Sequence, residues 1–165
     1  MFSKQLKAGL LVLSGVLSSV GSTVHADNIN TSGAVCQNYN ASQALDIDYL
    51  TNGVRNLNVD PRSVICALPR SPDTAGLLGE IIIDGHNTPG TCTPCTVTAY
   101  DALGTVTMTK SITECVGLFD PDHADWRQPV VFTSAQLPAS AYVSVVCTLP
   151  GSGQGLIHGV TAIQL

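Results

Sequence analysis

The sequence predicts an all-β protein, a single antiparallel β-sandwich domain stabilised by disulfides. Three observations predict it. Short apolar or alternating segments recur with turn residues every 8–12 positions. No window of eleven or more residues beyond the N-terminal leader carries a convincing helical period. Six cysteines, Cys36, Cys66, Cys92, Cys95, Cys115 and Cys147, all lie after that leader.

Residues 1–26 read as a removable secretory signal peptide. Lys4 and Lys7 form the positive end and Leu10–Val24 the apolar stretch, and Val24-His25-Ala26 is a small-x-small cleavage site. The remaining residues 27–165 suit one domain with its own core. Export and cysteine content together place the chain in an oxidising compartment, the periplasm or the extracellular space, where thiols pair. No later segment approaches the ~20 apolar residues of a membrane helix, so no span is expected after cleavage.

Beyond the leader five basic residues stand against twelve acidic ones, a net charge of −7, and Lys110 is the only lysine. An acidic chain without a Lys/Arg cluster has no electrostatic footprint for nucleic acid.

The elements follow in order. Asp27–Ala34 reads as a frayed terminus and CQNYNASQ as a polar loop. In ALDIDYL, Leu45, Ile47 and Tyr49 alternate with Asp46 and Asp48, the pattern of a half-buried strand. Thr51-Asn52-Gly53 turns the chain into GVRNLN, and Asp60-Pro61 turns it again into SVICAL, apolar on both faces. Arg55 is placed to pair with Asp46 or Asp48. EIIIDG is a strand, HNTPGTCTP a loop, and CTVTAYDALGTVTMTK a hairpin turning at Asp101–Gly104, with Val106 and Met108 facing inward. Ser111–Gln128 is the least regular stretch. PVVFTSAQL and AYVSVVCTL are strands, the second with Val143, Val145, Cys147 and Leu149 on one face. After the turn PGSGQG, LIHGVTAIQL closes the chain; Leu156/His158/Val160 and Ile157/Thr161/Ile163 are equal claimants for its core face.

Strand facing orders the cysteines. Cys95 and Cys147 both fall on apolar strand faces and pair as a core bridge. Cys36 and Cys66 bracket the first three-strand segment, and Cys92 joins Cys115. The tempting Cys92-Thr-Pro-Cys95 resembles a thioredoxin-like redox motif, but it runs into the strand formers Thr96-Val-Thr-Ala-Tyr rather than a helix. A single C-x-x-C also lacks the second ligand pair of a zinc site.

Candidate chemistry concentrates in Phe119–Trp126. Asp120, Asp122 and Asp125 are candidate calcium ligands, since that ion takes several oxygens from a flexible loop; the spacing is not that of an EF-hand, and a solvated turn is the plainer reading. No other cofactor is expected. Trp126 and Arg127 are the candidate ligand contacts. Exposed, the indole would stack on a sugar ring; buried, it would anchor the core, which is the favoured reading. No G-x-S-x-G elbow marks a nucleophile, and Gly151–Gly155 lacks the Lys-Ser/Thr of a phosphate loop.

Two resemblances complete the reading. C-x-x-x-N-A-S-Q-A-L-D-x-x-Y-L-x-N-G-V-R-N, then V-I-C-A-L-P-R and A-Y-V-S-V-V-C-T-L-P, resembles a group of uncharacterised secreted bacterial β-sandwich proteins and implies no activity. The late order VVFT, YVSVVCTL, turn, VTAIQL is similar in layout to galactose-binding-like jelly rolls. The leading expectation is therefore a secreted, non-enzymatic binding module for a glycan, surface or protein partner. The alternatives are a structural subunit of an envelope or extracellular assembly, and a small secreted hydrolase.

Overall fold

Alternation along the strands builds two layers. In the segment Tyr142–Leu149, Val143, Val145, Cys147 and Leu149 are buried while the residues between them face away, so one side packs and the other meets solvent. The structure, a computed structural model, describes residues 28–68, 78–116, 124–133, 136–137 and 142–164. The signal peptide and Asp120, Asp122 and His123 therefore lie outside the described residues.

Eleven strands are found among the described residues: β1 (Asn28–Ser32), β2 (Gln37–Asn38), β3 (Ile47–Leu50), β4 (Gly53–Asn56), β5 (Arg62–Leu68), β6 (Leu78–Asn87), β7 (Cys92–Tyr100), β8 (Val106–Cys115), β9 (Asp125–Val131), β10 (Tyr142–Leu149) and β11 (Gly155–Gln164). The first sheet runs β3-β4-β11-β6-β9, with β1 also paired to β11; the second runs β2-β5-β10-β7-β8. Every pairing is antiparallel. The core lies between the sheets, where Val54, Ile81, Ile83, Ile157 and Val160 of the first meet Val64, Val97, Val145 and Leu149 of the second.

Three disulfides close the frame: Cys36–Cys66, Cys92–Cys115 and Cys95–Cys147. Cys95 and Cys147 are direct neighbours on β7 and β10, and Cys92 and Cys115 are direct neighbours on β7 and β8. Cys92 is exposed and Cys95 is buried. Residues three apart in a strand point to opposite faces, so this C-x-x-C cannot close on itself.

Several local expectations are corrected. The terminus expected to fray is the paired strand β1, and Ile29 packs against the core. The expected strand from Ala44 begins only at Ile47. Asn40 accepts from the Ser42 N–H and opens a 3₁₀ turn over Ala41–Asp46, which leaves Leu45 98% exposed. Ser111–Gln128 is more regular than its composition implies, since β8 continues to Cys115 and β9 begins at Asp125. Pro129 is accommodated because β9 is an edge strand. A register shift at Ala99/Tyr100 sets Val106 opposite Tyr100 and leaves it exposed, while Met108 packs against the core. On β11, a bulge between Ile157 and Gly159 switches the alternation. The core takes Ile157 from one candidate set, Val160 from the other, and Ala162.

Two buried asparagines hold turns that hydrophobic packing cannot. Asn56 accepts from the Asn58 N–H at 2.9 Å and donates to the Asp60 carbonyl at 2.8 Å, while its own carbonyl accepts from Gly153. Asn87 accepts from the Thr93 hydroxyl at 2.6 Å and donates to the Glu114 carbonyl at 2.9 Å, tying β6 of one sheet to β7 and β8 of the other. Lys110 spans from β8 to β9, donating to the Val131 carbonyl and standing 5.0 Å from the centroid of the Phe132 ring.

Candidate functional site

The outward face of the first sheet gathers the polar and ionisable side chains of three strands. On β6, Ile81 and Ile83 point inward, so Asp84 and His86 point out; on β9, Val130 points inward, so Asp125 and Arg127 point out. The β11 bulge brings His158 and Gly159 to the same side. Register places Asp84 opposite both Gly159 and Arg127, and His86 opposite Asp125.

The result is an open groove of about 620 Å³ lined by Asn30, Thr31, Ser32, Asp84, Arg127, His158, Gly159, Thr161 and Ile163. Gly159 forms part of its floor, beneath the Thr31 backbone: a Cβ there would stand 3.0 Å from the Thr31 carbonyl oxygen. One wall carries Asp84 and Arg127, 3.7 Å apart, with Arg127 65% exposed. Such a loose, solvated pair leaves the guanidinium fork free to bind another acceptor. The opposite wall, on β1, offers Asn30, whose carboxamide oxygen accepts from the Thr161 hydroxyl at 2.6 Å.

One end of the groove is organised around Asp125. His86 Nδ1 donates to its carboxylate at 2.8 Å, and His158 Nε2 stands 3.8 Å from the same oxygen. The hydrogen bond from His86 holds the Asp125 carboxyl below the usual carboxylate range, with the charges of both histidines adding to it and partial desolvation opposing it. His158 Nδ1 donates to the Asn52 carbonyl at 3.0 Å, fixing the ring against the β3–β4 turn.

These placements sort the residues singled out from sequence. Asp125 and Arg127 reach the outward face together. Asp125 is engaged by His86, and among the described residues no cluster of three or more His, Cys, Asp or Glu side chains is arranged to hold a metal ion. Trp126 does not share that face. Its position between Asp125 and Arg127 turns it to the core side, half-buried, with its ring packed where a Gly85 Cβ would sit. Its indole N–H has no partner among the described residues. Asp84, His86 and His158 were missed. The first two were legible as same-face neighbours in IIIDGH, whereas His158 depends on a bulge that alternation conceals.

No protein-family model and no curated protein sequence matches the chain. Solved structures do resemble it. A family 35 carbohydrate-binding module from Clostridium thermocellum superposes with a TM-score of 0.51 at 11% identity, covering 85% of this chain and all (100%) of that one. The CBM36-1 domain of a multidomain xylanase from the hindgut metagenome of Trinervitermes trinervoides gives 0.48 at 10% identity, covering 82% and 96%. A structure of infectious bursal disease virus, Gt strain, gives 0.45 at 12%, covering 97% of this chain and 36% of that one. At such identities the likeness is one of fold. The chain has the two-sheet, jelly-roll-like architecture of that family 35 module.

Proposed function

We propose that this chain is a secreted, non-enzymatic module that binds a glycan in the groove on the outer face of its first sheet. The observation that carries this reading is the groove itself, a solvent-open channel walled by Asp84 and Arg127 on one side and Asn30 and Ser32 on the other. Sugar hydroxyls are both donors and acceptors, and these side chains supply both roles at fixed positions on rigid strands. The fold shared with a family 35 carbohydrate-binding module supports the assignment.

Asp84 lines the groove and Asp125 stands at one end of it, engaged by His86. The carbohydrate class is tested by a screen of soluble oligosaccharides against the purified chain, run with calcium and with chelator because Asp120 and Asp122 lie next to Asp125 in sequence. Saturable binding that weakens about tenfold in Arg127→Ala, roughly one charged hydrogen bond, is the expected result. Binding unaffected by substitutions at Asp84 and Arg127 would remove the groove from the account.

A further inference from the structure

We propose that the outer face of the second sheet is an independent docking surface for a neutral, extended polysaccharide. The face is defined by alternation. The charged residues of its strands all turn the other way: Arg62 pairs opposite Leu149, Lys110 opposite Val97 and Glu114 opposite Thr93, on the side where Leu149, Val97 and Thr93 are buried. The outward positions carry no charge. The outer face of the first sheet, by contrast, carries Asp84, His86, Asp125 and Arg127.

In place of charge there are hydroxyls in register. Thr109, Thr98 and Ser144 form one row across β8, β7 and β10, and Ser111 and Thr96 form the next. Neighbouring strands stand about 4.8 Å apart, and alternate residues repeat about every 6.6 Å along each strand, so the rows make a lattice of short, stiff polar groups. The face is not covered: Thr109 and Ser111 are exposed, and Thr96, Thr98 and Ser144 are partly so.

At one end of the field Tyr100 and Tyr142 stack at 5.0 Å with their planes 12° apart. Beside them lies an apolar recess of about 620 Å³ lined by Ile65, Ala67 and both tyrosines, with Tyr142 45% exposed. Aromatic faces next to uncharged hydroxyls match the two aspects of a pyranose, its C–H face and its hydroxyl rim. Charged partners fit poorly, since the face offers no cation to nucleic acid or anionic lipid. Val146 and Ile65, opposite one another on β10 and β5, add a small apolar strip beside the hydroxyl rows. The proposal does not depend on the groove, which lies on the opposite sheet.

The test is co-sedimentation of the purified chain with insoluble neutral polysaccharides, cellulose and granular starch, alongside the soluble-oligosaccharide assay. The variants are Thr98→Lys, Tyr142→Ala and Arg127→Ala, each checked for an unchanged melting curve. The expected result is retention on a neutral matrix, with the bound-to-free ratio lowered about fivefold by Thr98→Lys and by Tyr142→Ala. Retention indifferent to both second-sheet variants, or no retention on either matrix, would overturn the proposal. So would a concentration-dependent dimer that Thr98→Lys abolishes, since the face would then be a self-association surface. Failure of the groove appears separately, as unchanged soluble binding in Arg127→Ala.

Discussion

Asp46 and Arg62 meet at 2.6 Å, and that hydrogen bond, with a further one from Asn58, holds the Asp46 carboxyl below its usual value of 3.8. A depressed carboxyl adds stability that is fully present above the ordinary carboxylate pKa and is lost as pH falls through the lowered one. Asp125, depressed by His86, acts in the same direction. Melting temperature should therefore fall below about pH 4, and Asp46→Asn should flatten that fall while lowering stability at neutral pH; an identical acid limb in the variant would contradict the assignment. Gly85→Ala places a Cβ 2.3 Å from the Trp126 ring. The β6 and β9 backbones cannot separate without breaking their ladder, so the expected cost is about 1–3 kcal/mol by chemical denaturation. Asn87→Ala strands the Thr93 hydroxyl and the Glu114 carbonyl, both close to the core, at a similar cost of about 1–3 kcal/mol. At this scale legibility depended on range. The expected pairing of Arg55 with an aspartate of the neighbouring strand is found with Asp48 at 2.8 Å, because two short strands joined by a tight turn leave few partners in reach. The contacts of His86 and His158 with Asp125 join three strands distant in sequence, and local pattern carries no information about that pairing.

Among elements, the disulfides carry the most testable weight. Intact mass after alkylation without reductant should show no added alkyl group, all six cysteines being paired. Replacing Cys95 and Cys147 together by alanine should cost about 2–5 kcal/mol and leave the other two bridges in place. A new Cys92–Cys95 bridge in any variant would mean that β7 is not a strand there. Strong alternation made β10 readable in full, and continuous apolar runs made β5 and the central part of β6 nearly so. The 3₁₀ turn at Ala41–Asp46 was hidden because Leu45, Ile47 and Tyr49 imitate a strand, while the decisive signal was the side chain of Asn40. The faces of β11 were undecidable from sequence because a bulge joins two equally apolar phases. β1 was hidden because its polar outward residues read as loop, and only the partner β11 gives the segment a reason to be ordered.

At the scale of the molecule, the two sheets present unlike outer faces: one grooved and ionisable, the other uncharged and hydroxylated. A sandwich with a binding surface on each side would hold two chains at once, and linking two weak sites raises overall avidity without new contacts. The architecture followed from strand count and spacing, and the likeness to a family 35 carbohydrate-binding module is one of fold. The position of the groove did not follow from either, since it depends on which strands neighbour one another. The most direct measurement is isothermal titration of the purified chain with the tightest oligosaccharide from the screen, repeated with Arg127→Ala and with Asp84→Asn. The account predicts one saturable site whose affinity falls about tenfold in each variant while the melting curve stays unchanged. Full affinity in both variants would contradict it.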